Sequence, residues 1–217
     1  MSSFYNQHKL LQWTLALIIL IIGFFPMIKI VEWASDEPLF YLLFFVYIPI
    51  AQFSTTPIFR LTGVYQYYSP MLLGYMANKQ QIDLHSGGSF DYLFVLRKFR
   101  KGSEIRNQIL KYQLEGLLKI MTKIEQGEIP PSVNIVGTSY FFSERTLTKL
   151  GFEPKKPSLF YRINLFVNFI DLFWMYSLSR GKLTIPRVWK ARKAYASGED
   201  LLSAKQKISE LYNKLYS

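Results

Sequence analysis

The chain has no cysteine among its 217 residues. Disulfides, thiolate metal ligands and cysteine nucleophiles are therefore excluded. Histidine is nearly as scarce: only His8 and His85 occur, too few for a histidine-rich metal site. Acids are short as well, 15 Asp and Glu against 26 Lys and Arg, which leaves a formal charge of +11. Charge is missing altogether from Trp13 to Ile28 and from Pro38 to Phe59. A single charge at the centre of a membrane helix costs about 2.5–3.5 kcal/mol on insertion scales, so these two gaps are informative. No Ser-His-Asp triad, P-loop or metal-ligand cluster can be assembled from the motifs present.

What is present at the front is apolar. Each run approaches the roughly 20 residues that a hydrocarbon core about 30 Å thick requires. They read as two transmembrane helices joined by a short loop; the other reading is two buried helices of a large soluble core, for which the chain supplies little cover. The first run is too long for a signal-peptide core, and Lys29-Ile30-Val31-Glu32 does not resemble a cleavage site, so a retained anchor is expected. The intervening Glu32–Glu37 segment carries no Lys or Arg, whereas the chain beyond Arg60 is strongly basic. The positive-inside rule predicts a two-pass integral membrane protein with both termini in the cytoplasm. Lys29 at the outer end opposes this mildly, and its long stem can snorkel to the headgroups.

Beyond Arg60 the pattern turns α/β. Tyr65, Tyr67, Tyr68 and Tyr75 suit an interfacial belt. Met71–Met76 and Gln81–His85 read as an antiparallel hairpin, Ser86-Gly87-Gly88-Ser89 as a turn, and the near-continuous apolar run Phe90–Leu96 as a strand covered on both faces. Ser103 is expected to cap a long helix that ends at Gln126-Gly127, before Pro130-Pro131. Val133–Thr138 is the next strand and Ser143–Leu150 a two-turn helix closed by Gly151. The crossover length predicts parallel pairing between the runs at Phe90 and Val133.

Leu159–Leu178 is a third apolar stretch, with Asn164, Asn168 and Asp171 on one stripe and Arg162 beside it. A helix lying in the membrane interface fits this pattern better than a third span, which would strand Arg162 and Asp171 in lipid. Arg180, Lys182, Arg187, Lys190, Arg192 and Lys193 then cluster around Trp189. Such a group suits anionic headgroups; no nucleic-acid module accompanies it. Ser197 with Asp200 forms a capping-box variant, and Leu201, Ala204, Ile208, Leu211 and Leu215 make a seam expected to pack on the chain's own domain.

Two stretches carry a family likeness. Leu93-Phe94-Val95-Leu96-Arg97-Lys98-Phe99-Arg100-Lys101-Gly102 resembles a buried fourth strand running into an arginine- and glycine-containing pyrophosphate loop, and Thr148-Lys149-Leu150-Gly151-Phe152-Glu153 resembles a closing motif. Together they make residues 71–157 similar to the core of the GNAT acyltransferase superfamily. The resemblance implies acyl-CoA or acetyl-CoA as cosubstrate, with no metal. Its pyrophosphate would be held by Arg97, Arg100, Lys101, Gly102 and Ser103 at a helix N-terminus, where unsatisfied amides face the anion. Its pantetheine arm would enter where the fourth and fifth strands splay, between Tyr92–Leu96 and Val133–Thr138. Tyr140, with Ser139, stands where such a site needs a proton donor. Leu147 occupies the position of the family's usual tyrosine acid, and Glu104 adds a negative charge beside the loop.

His85 and Asp91 bracket the Ser-Gly-Gly-Ser turn. They could meet across it as a carboxylate-oriented general base, or His85 could be a strand-end histidine bonded to backbone. The expected architecture is α/β: a transmembrane hairpin over residues 1–60, a small cytosolic GNAT-like mixed-sheet domain over 61–157, and an interfacial helix with a basic helical tail over 158–217. Two functions follow. One is a membrane-bound acyl-CoA-dependent acyltransferase with a membrane-presented acceptor, favoured by Arg97–Gly102. The other is a non-catalytic accessory or scaffold subunit with a membrane-protein partner, favoured by Leu147 and Glu104.

Overall fold

The structure is a computed structural model that describes residues 4–139 and 144–215. Helix α1 (Lys9–Asp36) is 28 residues long, and a 3-10 turn at Pro38–Leu42 leads into α2 (Leu43–Leu61). Lys9–Asp36 and Pro38–Leu61 are each long and apolar enough to cross a membrane. The rest of the chain does not cover them: Ile21 is 70% exposed, Phe25 62% and Leu17 48%. Lys29 is paired with Glu32 one turn on, at 2.7 Å, which offsets its charge at that end.

The two helices meet along a seam in which small residues predominate, Ala16, Gly23 and Ala34 with Ile30. Ala16, Gly23 and Ile30 recur every seventh position and are buried. Gly23 lies so close to Ser54 that a Cβ there would sit 1.8 Å from its Oγ. Small residues at such a crossing let backbones approach where lipid gives no hydrophobic drive between helices. The Ser54 hydroxyl is spent on its own helix, donating to the Ile50 carbonyl at 2.7 Å.

A six-stranded mixed sheet follows. Strands β1 (Tyr65–Ser69), β2 (Leu72–Tyr75) and β3 (Gln81–Ser86) form an antiparallel meander; the hairpin pattern predicts β2 and β3, whereas β1 holds Tyr65, Tyr67 and Tyr68, expected as an interfacial belt. Two helices come next, α3 (Ser89–Val95) and α4 (Ser103–Glu125), then β4 (Asn134–Ser139), α5 (Glu144–Lys149) and β5 (Glu153–Lys155). Helices α6 (Leu159–Val167) and α7 (Phe169–Arg180) precede β6 (Arg192–Ser197), α8 (Gly198–Ser203) and α9 (Lys205–Lys214). The strand order is β1-β2-β3-β4-β6-β5, with β3 and β4 parallel.

Four expectations are corrected here. The run Phe90–Leu96 is not a strand. Gly88 opens a helix there, its amide donating to the Asp91 carboxylate three residues on at 3.1 Å. A short apolar run does not distinguish a buried helix from a buried strand by periodicity. The parallel partner of β4 is therefore β3, not the Phe90 run. Residues 192–197, expected within a helical tail, form β6, which inserts between β4 and β5. Alternation does show there, since Ala194 and Ala196 are buried while Tyr195 is half-buried. Ser103 opens α4 as its first residue, with Gly102 in the capping position.

The third apolar stretch breaks at Asn168 into α6 and α7, each shorter than the roughly 20 residues of a span. Its polar stripe turns into protein at Asp171, while Asn168 is half-buried and Asn164 exposed. Asp171 is 4% exposed and accepts hydrogen bonds from Ser89 and from Trp174 Nε1. Asn168 accepts one from Gln52 of α2. Several apolar side chains of α6 face outward, with Phe160 82% and Phe166 67% exposed, while Leu165, Leu172 and Met175 are buried.

The main core lies between one sheet face and α4, α8 and α9, and is built on Ile82, Leu84, Leu114, Ile120, Met121, Ile135, Leu201 and Ile208. The seam of the last helices packs here on its own domain, and the Ser197–Asp200 capping box is formed. A second core joins α3, the front half of α4, α6 and α7 through Tyr92, Ile105, Ile109, Leu165, Leu172 and Met175. We expect Gly23→Val to separate α1 from α2, since overpacking costs about 1–3 kcal/mol. Thermal unfolding of the detergent-purified protein checks this, and an unchanged midpoint would contradict the close crossing.

Candidate functional site

The sheet opens at one place. β3 and β4 pair from Gln81↔Asn134 to Leu84↔Gly137 and no further. Beyond that point β3 stays with β2, to Leu72↔Ser86, while β4 stays with β6, to Ser139↔Arg192. The C-terminal ends of two parallel neighbours therefore diverge, and crevices outside such ends are where open α/β sheets bind ligands. A cavity of about 70 Å³ lies in the gap. Leu72, Leu84, Leu117, Leu147, Leu150 and Phe152 make it apolar, and His85, Ser86, Gln113 and Thr138 give it polar edges. Gln113 of α4 is buried and donates to Ser86 Oγ at 2.9 Å.

Alternation along β3 sends Ile82, Leu84 and Ser86 toward α4, and Asp83 and His85 to the opposite face. There His85 Nε2 lies 3.7 Å from Asp83 Oδ1, both side chains being nearly half exposed. A line of rings leads to them from the end of α2: Phe59 to Tyr65 at 5.3 Å, Tyr65 to Tyr75 at 6.0 Å, and Tyr75 to His85 at 6.1 Å. His85 thus stands at the mouth of the opening, joined by these rings to the end of α2, with a carboxylate beside it.

That carboxylate is not Asp91. Asp91 is fully buried at the first turn of α3 and accepts from Tyr5 at 2.6 Å, from Tyr67 at 2.9 Å and from the Gly88 amide. The Arg60 guanidinium stacks on both tyrosines, 3.5 Å from the Tyr5 ring centroid and 4.4 Å from that of Tyr67. Four separate segments converge on this one group. Burial pushes the Asp91 carboxyl up to about 6, against the pull of Tyr5, Tyr67, Gly88 and Arg60. Burial also raises Asp171 to about 6, with Trp174 opposing.

The basic loop is placed elsewhere than expected. Arg97, Arg100 and Lys101 are exposed, but the Gly102 amide already donates to the Leu178 carbonyl of α7 at 3.0 Å. The Arg100 amide donates to Glu104 at 3.2 Å. Gly102 and Gly181, at φ 95° and 71°, allow α7 to end directly against this turn, where a Cβ on Gly102 would lie 3.6 Å from the Gly181 Cα. Ser103 is exposed one residue on. At 1.5 Å per residue, the start of α4 is about 15 Å along the helix from Gln113. Loop and opening are thus separate features.

Tyr140 lies outside the described residues. Among the described residues, no group of three or more His, Asp or Glu side chains is placed to hold a metal ion. Sequence reasoning missed Asp83, Ser86, Gln113 and Thr138. The Asp83-Leu84-His85 spacing on a strand was a usable signal for the first. Gln113 had none, because its role depends on which helix face meets β3. No family model, curated protein or solved structure matches the chain.

A carboxyl whose value is raised on folding makes the folded chain bind extra protons between its unfolded and folded values. Its contribution is complete below the unfolded value near 4 and is lost as pH rises through about 6. Wild-type stability should therefore fall between about pH 4 and pH 7, by on the order of 2 kcal/mol per carboxyl. Asp91→Asn and Asp171→Asn should each flatten part of that slope. Melting temperature against pH for wild type, both single variants and the double variant reads this out, and parallel slopes would refute it.

Proposed function

We propose that the chain is a two-pass membrane protein of the cytosolic face that transfers an acyl group from acyl-CoA or acetyl-CoA to an acceptor presented by the bilayer. α1 and α2 span the membrane with both termini inside, and the exposed bases of residues 180–190 rest on anionic headgroups. The α/β portion is a GNAT-like domain. The observation that carries this reading is the opening between β3 and β4, with His85 at its mouth. It supplies the splayed parallel pair that the resemblance requires, displaced from Phe90–Leu96 to β3. The thioester would enter from the apolar side, past the last paired residues Leu84 and Gly137. The acceptor would approach the other face, where His85, held as a base by Asp83, takes the proton from its amine or hydroxyl. The new bond forms to the thioester carbonyl carbon, the C–S bond breaks, and the CoA thiolate leaves, recovering the proton.

A second reading has its own support. The turn at Gly102 is closed by Leu178 and Glu104, so the domain could serve as a scaffold that binds without reacting.

Two measurements separate the readings. Acyl-CoA should raise the melting temperature of the purified protein, since a ligand of the folded state stabilises it. No shift at millimolar ligand would remove the transferase reading. His85→Asn should leave that shift intact yet lower transfer by about 100-fold or more. Equal rates in both proteins would show that His85 is no base.

A further inference from the structure

The sheet face turned away from α4 carries a row of bases that the proposed reaction leaves without a task. Strand register fixes which side chains share that face. Asp83 lies opposite Val136, Val136 opposite Tyr195, and Tyr195 opposite Glu153. Two residues along each strand, where side chains return to the same face, the row becomes His85, Thr138, Lys193 and Lys155. Thr138 stands opposite Lys193, and Lys193 opposite Lys155. Like charges directly opposite each other on neighbouring strands destabilise a sheet unless something offsets them. Both ammonium groups lean on the half-buried Tyr195 ring instead of parting, 4.9 Å from its centroid for Lys155 and 5.1 Å for Lys193. The carboxylates of this face are already engaged: Glu153 with Lys155 at 2.9 Å, and Asp83 beside His85 at 3.7 Å. Among the described residues no carboxylate pairs with Lys193.

Lys193 is therefore the charge left over, on the face where the acceptor would meet His85. Strands about 4.8 Å apart put it about 10 Å from His85 across the row, with Thr138 between them. We propose that this row binds an oxyanion, a phosphate or carboxylate carried by the acceptor whose amine or hydroxyl lies at His85. Lys193 and Thr138 donate to the oxyanion, Lys155 adds charge beside it, and the Tyr195 ring keeps both ammonium groups on this face. The acceptor is thus an anionic molecule. Its role as acceptor rests on the transferase reading; the binding of the anion needs no acyl donor.

Inorganic phosphate is the probe, added to the full chain in phosphatidylcholine nanodiscs, with chloride at equal ionic strength as the control. Phosphate should raise the melting temperature beyond chloride, as a ligand of the folded state does. Lys193→Gln should raise the half-saturating phosphate concentration about tenfold, and Lys193→Arg should restore most of the response. Lys119→Gln, on α4 across the sheet, should change nothing. Discs containing phosphatidic acid identify the source. A stabilisation that is present without added phosphate and is lost in Lys193→Gln assigns the anion to a lipid headgroup; an unaltered phosphate response assigns it to a soluble acceptor. No response beyond chloride in the wild type, or an equal response in Lys193→Gln, overturns the site. A phosphate response without an acyl-CoA shift removes the transferase reading alone, and an acyl-CoA shift without a phosphate response removes the oxyanion site alone.

Discussion

One buried carboxylate holds the front of the chain to its back. Asp91 has no exposure, and three donors from different segments converge on it while a guanidinium lies over two of them. A buried ionised group is costly when unpaired, so the geometry around it is tightly specified. Tyr5 fixes the lead-in to α1, Arg60 the end of α2, Tyr67 the edge of the sheet, and Gly88 the start of α3. Rings close around this point: Phe90 packs on Phe4, Phe53 and Phe94 at centroid distances of 5.2, 5.2 and 4.5 Å. The apolar hairpin is thus not tethered to the α/β domain by a loop alone. It shares a core with it.

That junction dictates the course of the rest. With α3 held by Asp91, its Ser89 hydroxyl meets Asp171 and draws α7 against it. α7 then ends at Gly181 on the turn at Gly102, using up the amide that an anion would otherwise claim. Gly102, one of the residues that suggested a phosphate loop, therefore serves helix packing. A chemically plausible opening survives elsewhere because β3 and β4 are drawn apart by different neighbours, β2 on one side and β6 on the other.

Much of this was legible in the residues, and what was not has identifiable causes. The two apolar helices, the hairpin, the long helix from Ser103, the strand near Val133 and the Ser197–Asp200 cap all carry local signals of period, turn or cap. Phe90–Leu96 misled because a seven-residue run with six apolar side chains suits a buried strand and a buried helix alike. Only Gly88 with Asp91 marked the helix start. β6 was hidden inside a run of bases, since Arg192 and Lys193 read as charge rather than as the head of an alternating strand. The stripe of Asn164, Asn168 and Asp171 was found, but its direction was not. A polar stripe names the side of a helix that wants hydrogen bonds, and protein donors such as Ser89 and Trp174 provide them as well as water does. For the site, His85 was singled out and its carboxylate misassigned: the chain turns at Gly87-Gly88 into a helix, which carries Asp91 inward, whereas Asp83 two residues earlier shares its face.

The helix that joins both halves is α4. Its first two turns belong to the core shared with α3, α6 and α7, through Ile105 and Ile109. Its later turns belong to the sheet core, through Leu114, Leu117, Ile120, Met121 and Ile124. Gln113 sits where one set ends and the other begins, and there it bonds to Ser86 at the edge of the opening. Close packing makes a helix transmit displacement rather than absorb it. Gly116, one turn along, has no room to yield, since a Cβ there would meet Leu72 at 2.7 Å. Past Leu84 and Gly137 no backbone ladder joins β3 to β4, so the bond from Gln113 to Ser86 ties α4 to a strand end held on one side only.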